Sequence, residues 1–156
     1  MHLTAAQRTT LKADIVATLD LNQLYVEGNL QGLADAYNAI AVPTFTVWKT
    51  EITRNEVGKT FVASALAAIT AGNNDKLANF AAWNETVDPS RADQRAFFDD
   101  IFSVAAGATT RAALLVLWKR QATRLEKLFA VGTGSDAVPA TMTVQGSISY
   151  IEFQGL

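Results

Sequence analysis

The 156 residues are 49% apolar and only 18% charged, enough apolar matter for a real core, which excludes disorder across the whole length. A formal net charge of −2 excludes the strong basic excess of a dedicated duplex-binding domain. With no cysteine and a single histidine, His2, the chain has no disulfide framework, thiolate metal site, cysteine nucleophile or histidine-based catalytic triad to offer.

In chain order, Thr4 followed three residues later by Gln7 is a capping-box pattern, and Leu3, Leu11, Ile15 and Leu19 fall near helical spacing, which predicts a first helix over 4–19. A polar break at Glu27, Gly28 and Asn29 precedes a second helix over 30–41, with Leu33, Ala36, Tyr37 and Ile40 on one face and Pro43 as its stop. Residues 44–50 alternate polar and apolar and carry β-branched and aromatic types, so they read as a strand or an extended link. Thr53 and Glu56 form another capping-box pair ahead of Phe61, Ala65, Leu66 and Ile69, and Gly72-Asn73-Asn74 marks the expected end of that helix. The apolar run at 61–69 is far short of the roughly 20 residues needed to span a bilayer.

A further helix is expected over 75–85, with Leu77, Phe80, Ala81 and Trp83 as its apolar members. Asp88-Pro89 reads as an N-cap followed by proline at the first helical position, opening a helix to about Ser103 that buries Phe97, Phe98, Ile101 and Phe102. Thr110 is expected to cap the longest helix, 111–130, with Leu114, Leu117, Trp118, Leu125, Leu128 and Phe129 as a wide apolar stripe and Val131-Gly132 as its stop. The fold class is therefore mainly α: a bundle of about five to six helices over 1–132, followed by a linker and C-terminal arm over 133–156.

That arm alternates over 141–150, which places Met142, Val144, Ile148 and Tyr150 on one face of a strand, or of a hairpin turning at Gly146. A strand must pair its backbone groups with something, either residues 44–50 of the same chain or a neighbouring chain by strand addition. On the second reading Pro139, Met142, Val144, Ile148, Tyr150, Ile151 and Phe153 form a subunit interface, and truncation after Gly134 leaves a folded helical body that no longer assembles.

Residues suited to chemistry are few. Asp99 and Asp100 are adjacent on a helix and so point about 100° apart, which reads as a solvated face. Gly132-Thr133-Gly134-Ser135 resembles a phosphate-cradling loop but follows a helix instead of leading into one, so it reads as a helix stop with a linker. Gly58-Lys59-Thr60 lacks the upstream glycine of a P-loop. Arg120, Arg124 and Lys127 stand at i, i+4, i+7 and share a face of the expected long helix, suited to DNA phosphates or an acidic partner, or else simply solvated with Glu126 nearby. No enzyme activity, cofactor or metal is expected.

Asp100-Ile101-Phe102-Ser103, the run from Lys119 through Arg124-Leu125-Glu126 to Ala130, Gly132-Thr133-Gly134, Pro139-Ala140-Thr141-Met142 and Gly146-Ser147-Ile148-Ser149-Tyr150 resemble phrases of a family of small proteins encoded in the structural modules of tailed bacteriophages and prophages. Ala34-Asp35-Ala36-Tyr37-Asn38, Val47-Trp48-Lys49-Thr50 and Val87-Asp88-Pro89-Ser90 match in outline, so the resemblance covers most of the chain. It implies a virion protein made in the host cytoplasm, similar to head-to-tail connector adaptors, which form rings, commonly dodecamers, between the portal protein and the next connector or tail protein. A ring lies close to the DNA in its channel, and no membrane is involved. Another head- or tail-completion protein, or a small nucleic-acid-binding regulatory module, are the alternatives.

Overall fold

A computed structural model describes residues 2–156. The chain is mainly helical and divides into two compact units: the residues up to Val47 together with Gln121–Leu156, and the continuous stretch Trp48–Arg120.

The first unit opens with α1 (Ala5–Ala17), α2 (Leu19–Val26) and α3 (Leu30–Asn38). The capping box at the start of α1 forms as the sequence predicts, with the Gln7 N–H donating to Thr4 Oγ1 and the Thr4 N–H to Gln7 Oε1. The expected single helix over 4–19 ends early because Thr18 takes an extended backbone, φ −110 and ψ 116, and starts α2 in a new direction. Leu19 consequently lies on the surface, 81% exposed, while Leu3, Leu11 and Ile15 are buried as their spacing requires. Asn29 caps α3 by accepting from the Gly32 N–H at 2.9 Å.

After β1 (Thr46–Trp48), within the stretch that reads as a strand or an extended link, the chain enters the second unit and returns through β4 (Lys119–Gln121), which pairs with β1. The first unit then adds α9 (Arg124–Phe129) and a 3-10 turn, Tyr150–Phe153.

Residues 141–150 do not form the expected strand or hairpin. Only the start of the tail is paired, and within its own unit: Val131 and Thr141 exchange N–H···O bonds at 2.8 and 2.9 Å, and the Ala140 N–H donates to the Thr46 carbonyl. Beyond that point side chains take the place of a ladder. The Asn38 amide donates to the Ile148 carbonyl and accepts from its N–H, both at 2.9 Å, as a neighbouring strand would. Val144, Ile148 and Phe153 are buried against Leu11, Ile15, Leu33 and Tyr37, the Phe153 and Tyr37 rings lying 5.8 Å apart. The expected boundary at residue 132 is therefore corrected: residues 133–156 are part of the first unit's core, not an arm hung from a finished body. Gly134 joins this packing at φ +65, where a Cβ would run into the Phe45 ring, so the glycine is required by close approach and not by linker flexibility.

The second unit contains β2 (Ile52–Thr53) paired antiparallel with β3 (Thr86–Val87), then α4 (Arg54–Gly58), α5 (Ala63–Ala68), α6 (Ala71–Trp83), α7 (Ala92–Ile101), a 3-10 turn at Ala105–Gly107 and α8 (Ala108–Leu117). The Thr53–Glu56 capping box forms as expected. Gly72-Asn73-Asn74, expected to end a helix, instead lies in the first turn of α6, because Thr70 caps it by accepting from the Asn73 N–H. Asp88 makes a turn with Ser90 rather than an N-cap, and α7 starts three residues later than proline-first capping implies. Thr110 lies buried inside α8, its hydroxyl accepting from the Val62 N–H at 3.3 Å.

The core of this unit is aromatic: Phe98 meets Phe80, Phe97 and Trp118 at centroid distances of 5.4, 5.3 and 5.8 Å, and Phe61 meets Phe102 at 5.0 Å. Phe98, Phe102 and Trp118 are fully buried and contribute about 1.5–3 kcal/mol each, while Phe61, Phe80 and Phe97 are half-buried around them.

Candidate functional site

The expected helix over 111–130 is two helices with a strand between them. Residues 118–122 are drawn into extended pairing: the Lys49 N–H donates to the Trp118 carbonyl, and the Ala122 N–H to the Phe45 carbonyl. A new helix then starts at a third capping box, in which Thr123 Oγ1 accepts from the Glu126 N–H and Glu126 Oε2 accepts from the Thr123 N–H at 2.9 Å. The expected basic stripe is therefore absent, because Arg120 lies in β4 while Arg124 and Lys127 lie in α9. Glu126, expected to be a solvated neighbour, is 2% exposed and also accepts from the Gly146 N–H. The Thr-x-x-Glu spacing at 123–126 was the available signal for the helix start but not for the burial, since the same box at Thr53–Glu56 leaves its glutamate exposed.

Arg124 and Lys127 instead line a depression of about 500 Å³ in the first unit, together with Asp14, Ala36, Leu128 and the segment 40–42. Arg124 is held there by its backbone as well as its side chain, since its N–H donates to the Ala39 carbonyl at 2.9 Å. Its guanidinium donates to Asp14 Oδ2 and to Thr18 Oγ1, both at 3.1 Å, and lies 5.5 Å from the centre of the Tyr37 ring. The Tyr37 hydroxyl donates to the same Asp14 oxygen at 2.7 Å. Burial first, and the bond to the Asp14 carboxylate second, push the Tyr37 phenol far above its ordinary pKa, so it stays a donor. With both partners partly open to water, the ion pair itself adds about 0.2–1 kcal/mol; its main effect is to fix the guanidinium in place.

Lys127 is held more loosely. Its ammonium donates to the Pro43 carbonyl at 3.4 Å and lies 5.8 Å from the Phe45 ring centre, so no carboxylate among the described residues neutralises it.

Of the residues expected to form a subunit interface, Pro139, Met142, Val144, Ile148 and Phe153 are buried within the first unit. Only Tyr150 and Ile151 are on the surface, 46% and 54% exposed. Five of the seven thus act in the protein's own core and cannot dock elsewhere without unfolding it. Next to them Glu152, 4% exposed, ties the two ends of the unit: it accepts from the Leu3 N–H at 3.3 Å and faces His2 Nδ1 at 3.1 Å and Arg8 at 3.7 Å. In the second unit Asp100 pairs with Lys76 at 2.9 Å on the surface. Among the described residues no group of three or more His, Asp and Glu side chains is arranged to hold a metal ion, and no helix is long and apolar enough to cross a membrane. Comparison with protein-family models, with curated proteins and with solved structures finds no match.

Proposed function

We propose that the protein is a structural component of a tailed-bacteriophage virion and acts as a head-to-tail connector adaptor, assembling with copies of itself into a ring beneath the portal. The virion origin is supported by the resemblance of its sequence phrases, which span most of the chain. The assembly role is carried by one observation: Trp83, at the end of α6, is 86% exposed, on a helix of 13 residues none of which is buried. A tryptophan left in water is costly for a monomer and is the residue type most enriched at the energetic centres of protein interfaces. A ring needs two different surfaces on each subunit, and the first unit supplies further exposed apolar side chains at Leu19 and Val26, 81% and 78% exposed. Docking is assigned to these side chains and not to the C-terminal tail, which is committed to the core.

Light scattering of the purified chain, alone and with the portal protein of the same phage, tests this reading. A defined multi-subunit complex that is weakened at least tenfold by Trp83→Ala supports it. A chain that stays monomeric and ignores the portal overturns the adaptor role and favours another head- or tail-completion position.

A further inference from the structure

In the first unit the segment 39–41 runs antiparallel to 122–124. The Ala41 N–H donates to the Ala122 carbonyl and the Arg124 N–H to the Ala39 carbonyl, both at 2.9 Å. In this pattern Ile40 and Thr123 are a non-hydrogen-bonded pair, so the N–H and C=O of Ile40 point away from 122–124 and form an open edge. Folded proteins blunt such edges with charge, proline or a covering element. Here the edge is short, a bridge at Ile40 that Pro43, with no N–H to donate, ends directly after Val42, and it carries Ile40 and Val42, 63% and 91% exposed, alternating with Ala41 at 1%.

The same three residues line the depression that holds Arg124 and Lys127. Its charged lining is two cations against one carboxylate, Asp14, and that carboxylate is already occupied by Arg124 and Tyr37. Backbone edge, apolar side chains and an unneutralised ammonium thus meet on one surface.

We propose that this surface binds an extended acidic segment of another protein, which adds a strand along Ile40–Val42 and sets a carboxylate against Lys127. Strand addition takes its affinity from main-chain bonds and its selectivity from the side chains flanking the edge. The flanking charge here selects acidic over basic segments. The tail of a second copy is a poor occupant, because Val144, Ile148 and Phe153 are in its own core. The assignment stands on this geometry alone and does not depend on the virion reading.

The test is selection of random twelve-residue displayed peptides on the immobilised full chain, with the selected peptides mapped by amide chemical shifts. The expected result is enrichment of peptides that alternate apolar residues with Asp or Glu and shift the amides of Ile40 and Val42. Lys127→Glu should weaken them by about tenfold or more. Ile40→Asp, at an exposed position, should do the same without altering thermal unfolding. The proposal is overturned by no enrichment, by selected peptides that lack acidic residues, or by equal binding to the Lys127→Glu variant. It is equally overturned, in favour of a second copy, by self-association of the free chain that Ile40→Asp abolishes.

Discussion

The two units reach stability by different routes. In the second, Trp48–Arg120, a continuous stretch of chain folds around interlocked rings, with Phe98 at the centre and local caps at Thr53 and Thr70. In the first, the opening and closing stretches of the chain must find each other, and much of what joins them is polar. Asn38 holds Ile148, 110 residues away; Asp14 holds Arg124, also 110 away; Glu152 holds the Leu3 N–H, 149 away. Closing such long loops costs entropy before any contact repays it, which makes the first unit the slower to form and the more sensitive to loss of either end. The sequence also labels the units separately, since all three tryptophans, at 48, 83 and 118, lie in the second and all three tyrosines, at 25, 37 and 150, lie in the first.

Truncation after Gly134 should break this comparison most severely. It removes Val144, Ile148 and Phe153 from the first core, so the tyrosine near-UV signal should collapse while tryptophan emission keeps its folded maximum. A truncated chain that retains both signals would falsify the structural role given to the tail, and one that loses both would show that the units fold as one. Next in size, Phe98→Ala should cost the second unit about 3–5 kcal/mol, as for other fully buried aromatics. Denaturant titration should show the tryptophan transition moving to lower midpoint ahead of the tyrosine transition.

The smallest effect concerns Tyr37. Its folded pKa is raised, so the stability it contributes is complete below the unfolded value of about 10 and is lost as pH rises beyond that. Tyr37→Phe should cost about 1.5 kcal/mol at neutral pH by leaving Asp14 one donor short. It should also flatten the alkaline fall in first-unit stability, and an unchanged alkaline limb in the variant would remove Tyr37 from that account.

How much of this was legible in the sequence follows the range of the interaction. The capping boxes at Thr4–Gln7 and Thr53–Glu56 were readable because both partners lie within one helical turn, and the third, Thr123–Glu126, carried the same signal inside a run whose apolar spacing looked like one long helix. The tail misled for a different reason. Alternation over 141–150 grouped Met142, Val144, Ile148 and Tyr150 on one face and pointed that face at a neighbouring chain, whereas Met142, Val144 and Ile148 are buried in the protein's own core and Tyr150 is on the surface. It carried no information on whether a strand would be available to pair with.

The sequence by itself determined the mainly helical class, most of the apolar positions that became core, and the capping boxes at Thr4 and Thr53, because each depends on neighbours a few residues apart. Only the tertiary structure decided that the chain forms two units, that the helix over 111–130 breaks where 118–122 pairs with 45–49, and that the tail is core. It alone set Arg124 against Asp14 and Lys127 beside an open edge at Ile40. Those outcomes rest on contacts between residues some 70 to 150 positions apart, which local propensity and periodicity do not encode.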